Sequence, residues 1–171
     1  NMSREDGGPV DATLIIYARV DRSGVDALRA YSSTCRVDRG AERIQEVANV
    51  TPSHSVAWLE TLARGGDAGR ASKRRSDGAV SAIALHDDKS ADAALERIAK
   101  TGDAKQIRHA AAFWLGNTRG QAGYEALVRL REVGDASFRE HLTFAFSQST
   151  AAKAPATLID MARNDASAKV R

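Results

Sequence analysis

What this chain of 171 residues has little of already removes several classes of protein. It holds one cysteine, Cys35, so neither an internal disulfide nor a cysteine-based zinc cluster can form. Aromatic residues make up only 5% of it, and alanine is abundant, a composition that favours helices approaching closely. No window of about 18 consecutive apolar residues is present, so no segment reads as membrane-spanning. Neither sign of charge dominates: 25 basic residues face 22 acidic ones, for a net charge of +3 and a pI near 9.2. Nucleic-acid modules usually concentrate more charge on one face, so this balance permits such a partner without demanding one. The opening NMSREDGGPVD is polar and lacks the apolar core of an export signal, as a processed chain also would, which leaves localisation open.

What is present is repetition. The stretch DAKQIRHAAAFWLG from Asp103 returns as DASFREHLTFAFSQ from Asp135, with Ile107 over Phe138, Arg108 over Arg139, Phe113 over Phe144 and Leu115 over Phe146, all at an offset of 31. A third copy begins at Asp165 and reaches Val170 and Arg171 in the same phase. Between these lie ALERIAK, ALVRLRE and TLIDMAR, whose leucines Leu95, Leu127 and Leu158 are spaced by 32 and 31. A period of this length marks alternating helices, A then B, in hairpins that must stack because each is too small to bury both apolar faces alone.

In chain order, residues 1–11 read as a mobile lead-in. TLIIYARV at 13–20 and VDALRAY at 25–31, joined by the turn DRSG, predict a β-hairpin, with a third extended piece near 36–38 or 43–47 after the turn Asp38-Arg39-Gly40. A lone hairpin is marginal in water, so it is expected to pack on the first helix. That helix starts at Thr51-Pro52, runs over 52–64 with Val56, Leu59, Leu62 and Ala63 on one face, and stops at Gly65-Gly66. Residues 65–76, with Arg70, Lys73, Arg74 and Arg75 and no apolar period, predict a flexible basic linker rather than a phosphate-binding patch. Six helices are expected beyond it, with Ser90 and Asp103 as caps and Gly116 to Gly120 as a turn. The predicted domains are 1–64, a hairpin with its helix; 65–76, the linker; and 77–171, repeats of which the last is incomplete.

This pattern resembles the HEAT-like repeats found in many bacterial proteins, the type named after phycobilisome lyases. The matching residues are the turn aspartates, the pairs Ile107-Arg108, Phe138-Arg139 and Val170-Arg171, and the B-helix leucines, over about residues 78–171. Gly78 departs from it, standing where the repeat arginine should be. The resemblance implies a mainly α-helical, right-handed superhelix that binds partners and carries no chemistry. Some HEAT-like proteins cradle DNA and others attach tetrapyrroles, but no motif specific to either is present.

Asp103, Arg108, Asp135, Arg139 and Arg171 therefore read as structural repeat positions, with each arginine fork holding a carboxylate or the carbonyls of a turn. His54, His86, His109 and His141 are scattered and form no metal-binding pair, Gly116, Gly120 and Gly123 lack the strand, lysine and hydroxyl of a P-loop, and no Ser, His and Asp constellation emerges by spacing. Trp58 is expected against the β segment and Trp114 in the core. No catalytic, cofactor or metal residue is assigned. The candidate binding positions are two columns on the B helices, Arg97, Arg129 and Asp160, then Lys100, Glu132 and Arg163. Both mix signs, which suits a protein or peptide partner, whereas a nucleic-acid cradle needs consistently basic rows. The expected function is thus a non-enzymatic scaffold with no cofactor. Nucleic-acid binding through residues 70–75, Arg97 and Arg129 is the alternative, and the incomplete last repeat is expected to support self-association.

Overall fold

A computed structural model describes residues 13–38, 40, 43–64 and 69–171. The lead-in at 1–11 and the helix stop at Gly65-Gly66 lie outside the described residues. Strands β1 (Leu14–Asp21) and β2 (Gly24–Ser32) form the expected antiparallel hairpin. Asp21 closes its turn by accepting hydrogen bonds from both the backbone N-H and the hydroxyl of Ser23. No third strand forms among the described residues; 36–38 and 43–47 are irregular.

Seven helices follow among the described residues: α1 (Pro52–Arg64), α2 (Arg70–Ala84), α3 (Lys89–Thr101), α4 (Lys105–Thr118), α5 (Gly120–Val133), α6 (Ala136–Ser147) and α7 (Ala154–Asn164). The protein is mainly helical, with one small two-stranded sheet. From Arg70 onward the expected basic linker is the start of α2, because its buried stripe begins with serines. Ser72 and Ser76 are buried ahead of Ala79, Val80 and Ile83 at helical spacing, and the Ser76 hydroxyl donates to the Leu62 carbonyl at 3.3 Å. A search for apolar periodicity passes over that stripe. The caps also shift. Asp88, and not Ser90, begins α3, and α4 is preceded by Ala104 without a side-chain cap, so Asp103 caps nothing. Asp135 does cap α6, accepting from the Phe138 N-H at 2.8 Å. Gly116 lies inside α4, and only Gly120, at φ +49°, serves the turn into α5.

The hairpin rests on α2 and not, as expected, on the first helix, while Trp58 of α1 stays 44% exposed. Leu28 of β2, fully buried, lies against Gly78, where an added Cβ would fall 2.6 Å from the Leu28 carbonyl oxygen. β2 thus occupies the space that any side chain at position 78 would need. Gly78→Arg should lift the hairpin off α2 and re-expose Leu28, costing about 2 kcal/mol of apolar burial. Limited proteolysis should then cut within 13–38 while the helices stay resistant. Unchanged protection of the hairpin would contradict this contact.

The helices lie in two layers. Odd-numbered helices touch odd ones, α1 with α3 and α3 with α5, while even ones touch even, α2 with α4 and α4 with α6. The core between them is built from small and branched residues, among them Ala94, Leu95, Ile98, Ala111, Leu115, Leu127, Leu142 and Phe146. Bonds from Arg131 to Asp160 at 2.6 Å and between Tyr124 and Thr157 at 2.9 Å tie α7 to α5. Two outward faces result, one of odd helices and one of even helices.

Candidate functional site

The odd-helix face carries a row of ion pairs, each joining one helix to the next. Arg97 of α3 grips Glu60 of α1 through Nε at 3.0 Å and Nη2 at 2.6 Å. Arg129 of α5 holds Glu96 of α3 in the same way at 2.8 and 2.7 Å, and Arg131 of α5 reaches Asp160 of α7. Glu60 also accepts from Arg64 at 2.9 Å. The guanidinium groups hold Glu60 and Glu96 below the ordinary carboxylate range, chiefly by these hydrogen bonds. Asp160 is lowered as well, first by its bond from Asn164 and then by Arg131.

Of the six candidate binding residues, Arg97, Arg129 and Asp160 are thus brought into one inter-helix row. The other three, Lys100, Glu132 and Arg163, stand exposed without a hydrogen-bond or ion-pair partner among the described residues. Exposure decides what the row is worth. The Arg97 and Arg129 side chains are 55% and 58% exposed, and such pairs contribute only about 0–1 kcal/mol each. They fix arginine orientation more than they stabilise the fold. Along α3 lies a shallow depression of about 270 Å³ lined by Ala93, Glu96, Arg97 and Lys100.

The structural repeat positions form a separate column. Arg108 donates to the Ala99 carbonyl at 3.0 Å and lies over the Phe138 ring, 4.6 Å from its centroid. Arg139 clamps Asp165 with two bonds, 2.9 and 3.0 Å, and donates to the Gly134 carbonyl at 2.9 Å. Arg171 donates to the backbone carbonyl of Asp165 at 2.6 Å. Arg108 and Arg139 thus reach forward along the chain, onto Phe138 and Asp165, whereas Arg171 turns back onto Asp165. Asp103 is exposed at the first turn and takes no part in these bonds. The Asp165 carboxyl is held at about 2, mainly by the Arg139 fork and then by the Ser167 N-H.

Sequence reasoning missed the even-helix face. There Phe113 stacks on Phe144 at 5.8 Å, His109 stacks on His141 at 3.8 Å with planes 9° apart, and Phe144 is half exposed. The signal was the recurrence of aromatic rings at 113 and 144, which reads equally well as core. His141 further bonds the His109 carbonyl through Nε2 at 3.0 Å.

Burial, then the adjoining His141, Lys105 and Arg108, pushes His109 down to about 4, against a smaller opposing effect of Asp135. Its folded pKa lies below the unfolded one, so as pH falls the unfolded chain takes the proton first. Stability should therefore be intact above about 6.5 and decline toward pH 4. Replacing the ring by His109→Phe should flatten the melting temperature between those limits, as followed by circular dichroism. Equal slopes in the two proteins would contradict the assignment.

Further features lie around these faces. Leu14, Ile16, Ala82 and Leu85 help line a cleft of about 210 Å³ beside His86. Both His86 ring nitrogens are already engaged, by the Ala82 carbonyl and the Ser55 hydroxyl. Cys35 is exposed just after β2, and Trp114 is half-buried against the core rather than enclosed by it. Among the described residues no three His, Cys, Asp or Glu side chains converge, and no helix is long and apolar enough to cross a membrane. No family profile, no curated protein and no solved structure matches this chain.

Proposed function

We propose that the protein is a non-enzymatic scaffold of HEAT-like stacked hairpins whose odd-helix face, the face of the B helices, binds a protein or peptide. One observation carries this reading: three inter-helix ion pairs, Glu60 with Arg97, Glu96 with Arg129 and Arg131 with Asp160, cross that face from α1 to α7. They set orientated, half-exposed polar groups on rigid elements at regular helical intervals, an arrangement that gives register and specificity to a partner more than affinity. The contact of odd helix with odd helix and even with even supports the stacked architecture.

The nucleic-acid alternative has less behind it. Arg97 and Arg129 each share their charge with a carboxylate, and residues 70–75 begin α2, a helix of the other layer, so the exposed Lys73 and Arg74 do not extend the odd-helix row.

The test is a photo-reactive phenylalanine analogue placed at Ala93, in the centre of the odd-helix face, or at Gln106 on the other layer as control. Adducts forming from position 93 and not from 106, and degraded by protease, support the proposal. Adducts degraded by nuclease, or equal labelling from both positions, overturn it.

A further inference from the structure

Within that reading, and resting on it, we infer that the partner lays an extended acidic segment across the α1–α3–α5 part of the odd-helix face, held by Arg64, Arg97, Lys100 and Arg129. The distribution of charge is the first observation. Arg64 and Arg97 share the single carboxylate of Glu60, and Lys100 has no hydrogen-bonding partner of its own although its field reaches Glu96. The carboxylates lie beneath their cations: Glu60 and Glu96 are 14% and 26% exposed, against 55% and 58% for Arg97 and Arg129. Solvent over this part of the face therefore meets cations. At its far side α5 is balanced, with exposed Glu125 and Glu132 offsetting Arg129 and Arg131, so the positive zone fades there.

The geometry of the arginines is the second observation. Both Arg97 and Arg129 spend Nε and Nη2 on one carboxylate, which leaves Nη1 without a partner among the described residues. A guanidinium clamped along one edge has lost its rotamer freedom before a ligand arrives, so a second carboxylate meets a preorganised donor. Lys100 follows Arg97 on the same helix and flanks the depression with it, with Ala93 leaving room for a chain to lie close.

Spacing selects the occupant. Packed neighbouring helices stand about 8–10 Å apart, and three residues of a chain extended as polyproline II span about 9 Å and bring every third side chain to the same side. Carboxylates at every third position of an extended peptide thus meet Arg97 on α3 and Arg129 on α5 in turn. A single-stranded nucleic acid needs stacking platforms beside its cations, and the aromatic rings of α4 and α6 lie on the other layer.

The experiment titrates the full chain with a fluorescein-labelled peptide bearing glutamate at every third position, followed by anisotropy. A lysine-substituted version of the peptide and a labelled thymidine oligonucleotide are the comparison probes. Saturable binding of the glutamate peptide alone is expected. Lys100→Gln, which breaks no bond in the protein, should weaken it about threefold, and the Arg97→Gln, Arg129→Gln pair at least about tenfold, with melting temperatures nearly unchanged because both sites are exposed. No saturation by the glutamate peptide, unchanged binding in the variants, or tighter binding of the oligonucleotide each overturns the inference. Protein adducts at position 93 together with no affinity for the glutamate peptide would sink this inference while leaving the scaffold standing.

Discussion

Gly116→Ala, the addition of a single methyl group, should destabilise the protein more than most core truncations do. The Cβ it introduces would stand 2.1 Å from the carbonyl oxygen of Ala145 and 2.9 Å from its carbonyl carbon. Those atoms belong to the backbone of α6, so no side chain can swing aside; helix α4 must move away from α6 instead. Overpacking usually costs about 1–3 kcal/mol because flexible groups absorb it. Here separation would also loosen the Phe113–Phe144 and His109–His141 stacks that bridge the same two helices. A cost above about 3 kcal/mol corresponds, for a domain of this size, to a melting temperature lower by roughly 6–12 °C. Thermal unfolding by circular dichroism reads it directly. A fall of only a degree or two would mean that α4 and α6 are not in backbone contact at Gly116.

The same position shows where reading the chain succeeds and where it stops. Apolar residues recurring at 31 and 32 positions place the helices from Ala91 to Met161 because branched side chains at helical spacing have one use in water. The hairpin follows as plainly from β-branched Thr13, Ile15 and Ile16 and the Asp21-Arg22-Ser23-Gly24 turn. Gly116 misleads for a physical reason. Glycine is at home both in turns and where two backbones touch, and only the partner helix decides which. Ser72 and Ser76 mislead similarly, since a hydroxyl that is paired inside the protein looks identical in sequence to one in solvent.

The candidate site divides along the same line. The repeat column and the B-helix positions are visible as recurring charges at Arg97 and Arg129, or Arg108 and Arg139. Their partners are not, because Glu60, Glu96 and Asp165 share no common offset from them. Whether an arginine faces solvent, a ring or a carboxylate depends on contacts between repeats that no single repeat encodes.

Arg119 is the strongest instance, and its removal carries the second large effect. No arginine recurs at 31 or 32 positions from it, yet its side chain is only 12% exposed and draws four groups together. Nε donates to the Asp92 carboxylate at 2.6 Å, Nη1 to the carbonyls of His86 at 2.6 Å and Ala84 at 3.3 Å, and Nη2 to the carbonyl of Asp88 at 3.1 Å. The last carbonyls of a helix lack intrahelical donors, and Arg119 supplies them to the end of α2 while pinning the turn into α3 from the neighbouring turn between α4 and α5. Arg119→Ala leaves those carbonyls and Asp92 to find water in a part-buried site. Removing one partner of such a pair costs about 3–5 kcal/mol, or a melting temperature lower by roughly 6–20 °C. Arg119→Lys keeps the charge but offers one point where four directed N-H groups are needed, so it should recover less than half of the loss. Amide hydrogen exchange gives the local signature: backbone protection should fall first across His86 to Ala91, ahead of α5. Uniform loss of protection along the chain would show Arg119 to be an ordinary core contact, and full rescue by lysine would show that charge alone suffices.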